Sequence, residues 1–238
     1  MGGWTFEPWR GHFYPAGLPH ARELDHASRR VTAIEVNGTF YSTMSPATYA
    51  KWRAETPDGF VFALKGPRYA VNRRVLADAG ESVARFVASG IDRLDDKLGP
   101  ILWQLAATKK FDADDIARFL DLLPARVGDR PLRHVLEPRH DSFADARLFD
   151  LARDRGVAVA YADSDSYPCF AEQTAGFTYA RLQNGANHEP LCYPAAALDG
   201  WAEQAREWAK GGRDVFVFFI AGGKVNAPAG AEALLARV

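Results

Sequence analysis

Arg133-His134-Val135-Leu136-Glu137-Pro138-Arg139-His140 reads as a short apolar strand over Leu132–Leu136 that runs straight into an acid, a base and an imidazole. The same junction recurs along the chain. Val31–Val36 reads as a strand ending in Glu35-Val36-Asn37-Gly38, and Phe60–Leu64 as one ending on Lys65-Gly66-Pro67-Arg68. Gly99–Leu105 carries Trp103 and Gln104; Val157–Ala162 leads into Asp163-Ser164-Asp165-Ser166. Phe177–Leu182 holds Arg181 and leads into Gln183-Asn184, and Val215–Ile220 leads into Ala221-Gly222-Gly223-Lys224. Short continuous apolar runs of this kind suit strands buried on both faces.

Between the strands the apolar residues return at helical spacing. Ser45 is a good N-cap ahead of Pro46, so a helix is expected through Tyr49 and Trp52, stopping before Thr56-Pro57-Asp58-Gly59. Val83, Phe86, Val87 and Leu94 mark another helix; Ile116, Phe119, Leu120 and Leu123 one closed by Pro124; Leu148, Leu151 and Ala152 one ending at Gly156. A long helix through Leu198, Trp201, Ala205 and Trp208 ends at Gly211-Gly212, and Ala231, Leu234, Leu235 and Val238 face one last helix. His20–Ser28 forms a short one.

Strand and helix alternation without hairpin signals between strands implies a parallel sheet. The fold class is α/β, a TIM-barrel-like (β/α) barrel in one domain spanning residues 1–238; such barrels run to about 250 residues. An open doubly wound sheet is the alternative. Seven strands are legible, and the first is missing or truncated, because Gly2-Gly3-Trp4 follows Met1 directly. Thr5–Leu18 is an aromatic loop.

Bulk composition narrows the partners. A net charge of -1 and a pI near 6.6 give no global attraction to nucleic acid or to an anionic membrane. No apolar run approaches the roughly 18 residues of a membrane span, and no signal peptide is expected. Cys169 and Cys192 fit no zinc or redox motif, so a reducing, cytoplasmic setting is expected, with no cofactor. Oligomeric state is left open.

Barrel enzymes place their chemistry at the carboxyl ends of the strands. Collecting polar residues there gives Glu35, Glu137 and Lys65 as catalytic candidates. Asn37, Tyr41, Arg68, Gln104, Arg139, His140 and Arg181 are substrate-binding candidates. Two carboxylates in a partly dry cavity divide acid and base work if their pKa values are pushed apart; the competing reading is a structural ion pair with a neighbouring Lys or Arg. The cations suit a carboxylate or phosphate, Arg in bidentate fashion and Lys as a point charge. Gly222-Gly223 is a weak candidate for anion binding by backbone N–H groups, and Asp163-Ser164-Asp165-Ser166 reads as a turn sooner than a cation site. Lys65, Arg68, Arg73 and Arg74 around Tyr69 read as a solvated face or small-anion site sooner than a nucleic-acid contact.

Taken together, Gly3-Trp4, Trp9-Arg10-Gly11, Phe13-Tyr14-Pro15, Glu35-Val36-Asn37-Gly38-Thr39-Phe40-Tyr41, Phe62–Arg68, Lys97–Leu105 and Glu137-Pro138-Arg139-His140 come in an order that resembles the YecE-like family, domain of unknown function 72. The resemblance covers nearly the whole chain and implies a TIM-barrel-like fold; it implies no activity. Three departures stand out from the pattern the resemblance implies. The strand before the Gly-Trp turn is absent, Val71-Asn72 stands where Thr-His is usual, and Phe219-Ile220-Ala221-Gly222-Gly223 replaces an aromatic residue followed by asparagines.

Three functions stay open at this point. The first is an enzyme acting by acid–base chemistry on a small polar or anionic metabolite at the barrel mouth. The second is a metal-assisted isomerase or phosphodiester hydrolase using Glu35, Glu137, His140 and Asp163. The third is a non-catalytic ligand-binding or nucleic-acid-associated module.

Overall fold

Ten strands form in the computed structural model, which describes residues 1–220 and 222–238. They are β1 (Ala33–Val36), β2 (Val61–Lys65), β3 (Leu98–Gln104), β4 (Arg126–Val127), β5 (Arg130–Pro131), β6 (His134–Glu137), β7 (Ala158–Val159), β8 (Tyr161–Asp163), β9 (Phe177–Leu182) and β10 (Asp214–Phe219). The helices are α1 (Glu23–Ser28), α2 (Gly38–Tyr41), α3 (Pro46–Ala54), α4 (Arg68–Val71), α5 (Gly80–Val87), α6 (Ala113–Asp121), α7 (Ala146–Asp154), α8 (Ala195–Trp208) and α9 (Ala227–Leu235).

Strands β1-β2-β3-β6-β7 pair in parallel in that order, and β8-β9-β10 form a second parallel sheet. The expected strand over Val157–Ala162 is therefore two pieces, parted at Ala160, whose N–H donates to Leu136 O at 2.9 Å. Its first half pairs with β6 and its second half with β9, so this one stretch joins the two sheets.

Met1–Gly3 forms a stub where a first strand is expected. Glu35 N–H donates to Met1 O (3.0 Å), Gly3 N–H to Glu35 O (2.9 Å) and Gly2 N–H to Phe219 O (3.2 Å). Met1–Gly3 thus lies between β1 and β10, in the gap an eighth strand would fill. Beneath it, at the amino-terminal ends of the strands, is an apolar cavity of about 420 Å³ bordered by Met1, Ala33, Val61, Val215, Val217 and Leu234.

Two separate cores follow from the pleat, since alternate strand residues face opposite sides. Ala63, Leu102, Val135, Tyr179 and Phe218 pack with one another inside the ring. Ile34, Phe62, Trp103, Leu136 and Leu182 face outward onto the helices. An inner core walled mainly by strand residues is what a barrel has and a doubly wound sheet lacks. Trp103 shows how the outer layer locks, with its ring edge-on to Phe86 of α5 and Phe119 of α6.

Local chemistry accounts for most boundaries. Ser45 Oγ accepts from Thr48 N–H and starts α3, as expected. The helix expected to run from Val83 through Leu94 instead stops at Val87, because Gly90 takes a left-handed φ of 101° and a 3₁₀ turn, Ile91–Lys97, follows. The β4–β5 hairpin was not foreseen. Two residues per strand leave no alternation to detect, and its turn rests on Gly128 at φ 54°.

Candidate functional site

Inward alternation lines up the polar strand ends. Below Glu35 is Ala33, below Lys65 is Ala63, below Gln104 is Leu102, below Glu137 is Val135 and below Arg181 is Tyr179, all on the inner face. Two residues further up each strand, on the same face, the side chain can no longer enter the apolar core, and these five groups meet each other instead. All five are buried: Glu35 and Glu137 are 0% exposed, Arg181 1%, Lys65 7% and Gln104 8%.

Arg181 is the hub. Its Nε donates to Glu35 Oε2 (2.9 Å) and its Nη2 to Glu35 Oε1 (2.9 Å), a bidentate grip. Its Nη1 donates to both oxygens of Glu137, at 2.7 and 2.9 Å. Tyr179 Oη completes Glu35 with a donation to Oε2 at 2.7 Å. Gln104 Nε2 donates to Glu137 Oε2 at 2.5 Å, with Gln183 and Arg139 more distant donors at 3.4 Å to Oε1.

Burial works to raise the pKa of both carboxylates, yet both are held below the ordinary range. For Glu35 the Arg181 guanidinium outweighs burial, helped by Lys65 and Tyr179. For Glu137 it is Arg181, then Arg139 and Gln104. The pair expected to split acid and base roles is thus kept as two carboxylates, each with both oxygens engaged.

Lys65 is arranged differently. Thr39 Oγ1 lies 3.1 Å from Val36 O and 2.8 Å from Lys65 O and accepts from Lys65 N–H at 3.1 Å, so α2 is latched to the end of β2. That latch lays the Phe40 ring against the amine, 4.4 Å from Nζ to centroid. Among the described residues Nζ has no hydrogen-bond acceptor. Burial lowers its pKa to about 8; Glu35 and Glu137 oppose the shift, while Arg181 and Arg139 add to it. Arg139 stacks on Tyr167 (4.2 Å to the centroid), and its Nε is buried without a partner among the described residues.

The remaining candidates sit around this centre. Asn37, half-buried, borders a smaller cavity of about 270 Å³ beside Gly2, Gly3 and Lys224. Tyr41 is 64% exposed and faces the exposed Arg68 at 5.9 Å, so both belong to the rim. His140 caps the turn Asp141–Phe143, its Nδ1 accepting from Ser142 N–H at 3.1 Å. Tyr179, Tyr167 and Phe40 were missed by the strand-end rule. Tyr179 was findable, two residues before Arg181 on the same strand face; nothing in the sequence marks Tyr167.

A family model described as "Protein of unknown function DUF72" matches residues 1–238. The chain belongs to that family. None of the curated proteins compared with it matches. A crystal structure of a DUF72 family protein from Thermotoga maritima MSB8 superposes with a TM-score of 0.76 at 20% identity, covering 99% of this chain and 95% of that one. Another, from Enterococcus faecalis V583, gives 0.73 at 16% identity over 100% and 92%. At such identities the likeness is one of fold, and it supports the TIM-barrel-like architecture.

Within this DUF72 chain the weaker motifs find structural uses. Asp163 accepts from Tyr193 Oη at 2.5 Å and from Asn184 Nδ2 at 3.0 Å, and Asn184 also reaches Asp165 at 3.1 Å. With Glu35 and Glu137 on Arg181 and His140 capping a turn, the four proposed metal ligands are each engaged elsewhere. Among the described residues no three His, Cys, Asp or Glu converge on one point. Gly222 has φ 63°, and a β-carbon there would collide with the Gly185 carbonyl. The Gly222-Gly223 turn is therefore a close approach of two loops, with Val225 N–H already donating to Asn187 Oδ1 at 3.1 Å. Ala221 lies outside the described residues. Arg73 turns back onto Tyr69 O and Ser82 Oγ, so the basic segment forms no continuous stripe with the buried Lys65. No helix among the described residues is long and apolar enough to cross a membrane.

Proposed function

We propose that this DUF72 protein is an enzyme that binds a small anionic metabolite at the carboxyl-terminal mouth of its barrel and acts on it by acid–base chemistry. One observation carries the reading: at the mouth beside Lys65, Arg139 Nε is buried without a partner among the described residues, while Arg181, Tyr179 and Gln104 already engage both oxygens of each nearby carboxylate. Three cations face two carboxylates there, so an incoming anion restores neutrality in a poorly solvated place.

In this reading Glu35 and Glu137 hold Arg181 rigid and set the field. Gln104 orients Glu137, and Asn37, Tyr41, Arg68 and His140 line the approach. The proton is carried by Lys65, whose pKa of about 8 lies near neutrality, as general acid–base work requires. A cytoplasmic setting is part of the proposal, supported by two unpaired cysteines, Cys169 and Cys192.

Thermal unfolding in inorganic phosphate, against chloride at equal ionic strength, tests the anion site. Ligand at about a hundred times its Kd adds about 2.7 kcal/mol, a shift of several degrees. The shift is expected in the wild type and lost in Lys65→Met and Arg139→Gln. No shift beyond chloride, or a shift kept by both variants, refutes the proposal.

A further inference from the structure

We infer that Lys65 is a carbonyl-capturing amine, and that the anion taken by this mouth carries an aldehyde or ketone beside its carboxylate, as a 2-oxo acid does. The inference deepens the anion-site reading and rests on it.

The chain supplies its own comparison. Lys97 is also buried, 4% exposed, and its ammonium is fully engaged: Nζ donates to Arg53 O (2.8 Å), Thr56 O (2.5 Å) and Thr56 Oγ1 (3.2 Å). That is how a fold keeps a buried lysine charged, by replacing the water it lost. Lys65 is 7% exposed and receives none of this. Its backbone is pinned by Thr39, its amine faces an aromatic ring, and the charges acting on it are mixed, Glu35 and Glu137 favouring its proton and Arg181 and Arg139 opposing it. An amine left without acceptors and beside other cations is one kept ready to give up a proton and act as a nucleophile.

The second feature is Arg139, beside Lys65 in the same electrostatic cluster. Its stacking on Tyr167 fixes the guanidinium plane, and its buried Nε lacks a partner among the described residues. A carboxylate accepted there would bring its adjoining carbonyl carbon to the mouth at which the Lys65 amine stands.

The step balances without any further reactant. The Nζ lone pair forms the new C–N bond to the carbonyl carbon. The carbonyl oxygen leaves as water, taking two hydrogens that began on the ammonium. Overall one ammonium and one carbonyl become one iminium and one water, with no change of charge. The positive charge stays where Glu35 and Glu137 already stabilise it.

Trapping tests this directly. The full chain is incubated with pyruvate and cyanoborohydride near pH 7.5, digested, and its modified lysines mapped by mass spectrometry. At that pH an amine of pKa about 8 is neutral about two hundred times more often than an ordinary lysine of pKa about 10.5. Reduced adduct concentrated on Lys65 by tenfold or more over exposed lysines such as Lys210 supports the inference. Mapping on the wild type needs no variant to fold, and Lys65→Arg is expected to lose the adduct. Lactate, which has the carboxylate but no carbonyl, separates the two levels of the argument. If lactate raises the melting temperature but pyruvate leaves no adduct on Lys65, carbonyl capture is overturned and the anion site stands. If neither lactate nor phosphate has an effect, the anion site falls, and carbonyl capture with it.

Discussion

Replacing Arg181 with methionine is the sharpest perturbation of the barrel mouth, because one guanidinium there neutralises two carboxylates. The change removes four hydrogen bonds of 2.7 to 2.9 Å, two to Glu35 and two to Glu137, and leaves both groups fully buried. Breaking one buried pair by deleting a partner costs about 3–5 kcal/mol. Here two charges are orphaned at once, so the loss lies between one such figure and twice it. A domain's whole stability is about 5–15 kcal/mol, so Arg181→Met removes a large share of it at pH 7, and all of it if the wild type lies at the low end.

The loss is expected to depend on pH in the opposite sense to the wild type. In the wild type Glu35 and Glu137 have depressed pKa values. Their contribution is present above the unfolded value of about 4.5 and fades as pH falls through the folded values. In the variant, burial without Arg181 raises those pKa values, so the folded state binds more protons than the unfolded one. Its stability therefore rises as pH falls toward about 5. Urea unfolding followed by tryptophan fluorescence at pH 5, 6 and 7 measures both trends. A triple variant, Glu35→Gln with Glu137→Gln and Arg181→Met, separates charge from packing, since removing a whole buried ion cluster is often neutral or stabilising. The reasoning is refuted if Arg181→Met keeps the wild-type midpoint at pH 7, or if the triple variant is no more stable than the single one.

Two further outcomes follow from the same geometry. Lys65→Met is expected to stabilise the protein at pH 7 by up to about 3 kcal/mol, the worth of a shift from 10.5 to about 8; wild-type stability climbs between pH 8 and 10.5 as that burden lifts, so the variant's advantage should vanish by pH 10.5, and a variant less stable than wild type at pH 7 contradicts it. Hydrogen exchange should be faster at the amides of Val215 and Val217, which face the cavity beneath the Met1–Gly3 stub, than at Phe216 and Phe218, which face β9; equal protection would show that the gap beside β10 is filled in solution.

How much of this could be read from the chain depends on what kind of signal each feature leaves. Parallel strands buried on both faces leave dense apolar runs, so β1, β2, β3, β6, β9 and β10 were all visible within a residue or two. The break at Ala160 left no mark, because Val157–Ala162 is apolar or aromatic throughout and hydrogen bonding, not side-chain character, divides it. The 3₁₀ turn after Gly90 was hidden by Leu94 continuing the helical spacing. At the site, the rule of charges at strand ends brought Glu35, Lys65, Gln104, Glu137, Arg139 and Arg181 to one mouth. It could not say which cation each carboxylate holds. Strand order alone does not reveal that Arg181, rising from β9 across the ring, reaches β1 with one side of its guanidinium and β6 with the other.

That reach bears on why the cluster is there. A cross-brace of two carboxylates on one arginine is a poor way to gain stability, since burying three charges costs about what their attraction returns. Leucine or methionine at the same three inner positions would close the barrel equally well. What the brace does provide is a fixed field: two negative charges, immobile and dry, aimed at the adjoining amine of Lys65. Such a field favours a positive charge at Nζ whether it is an ammonium's or an iminium's, while burial, Arg181 and Arg139 favour its loss. Balanced between the two, Lys65 changes state for a small free-energy difference, and on the proposed reading an anion arriving at Arg139 would tip it. Glu35→Gln should disturb that balance from the neighbouring strand β1, removing the carboxylate that most raises the Lys65 pKa and so lowering it further. Amine labelling of Lys65 as a function of pH would then titrate at lower pH than in the wild type; an unmoved or raised midpoint would mean that the brace is only structural.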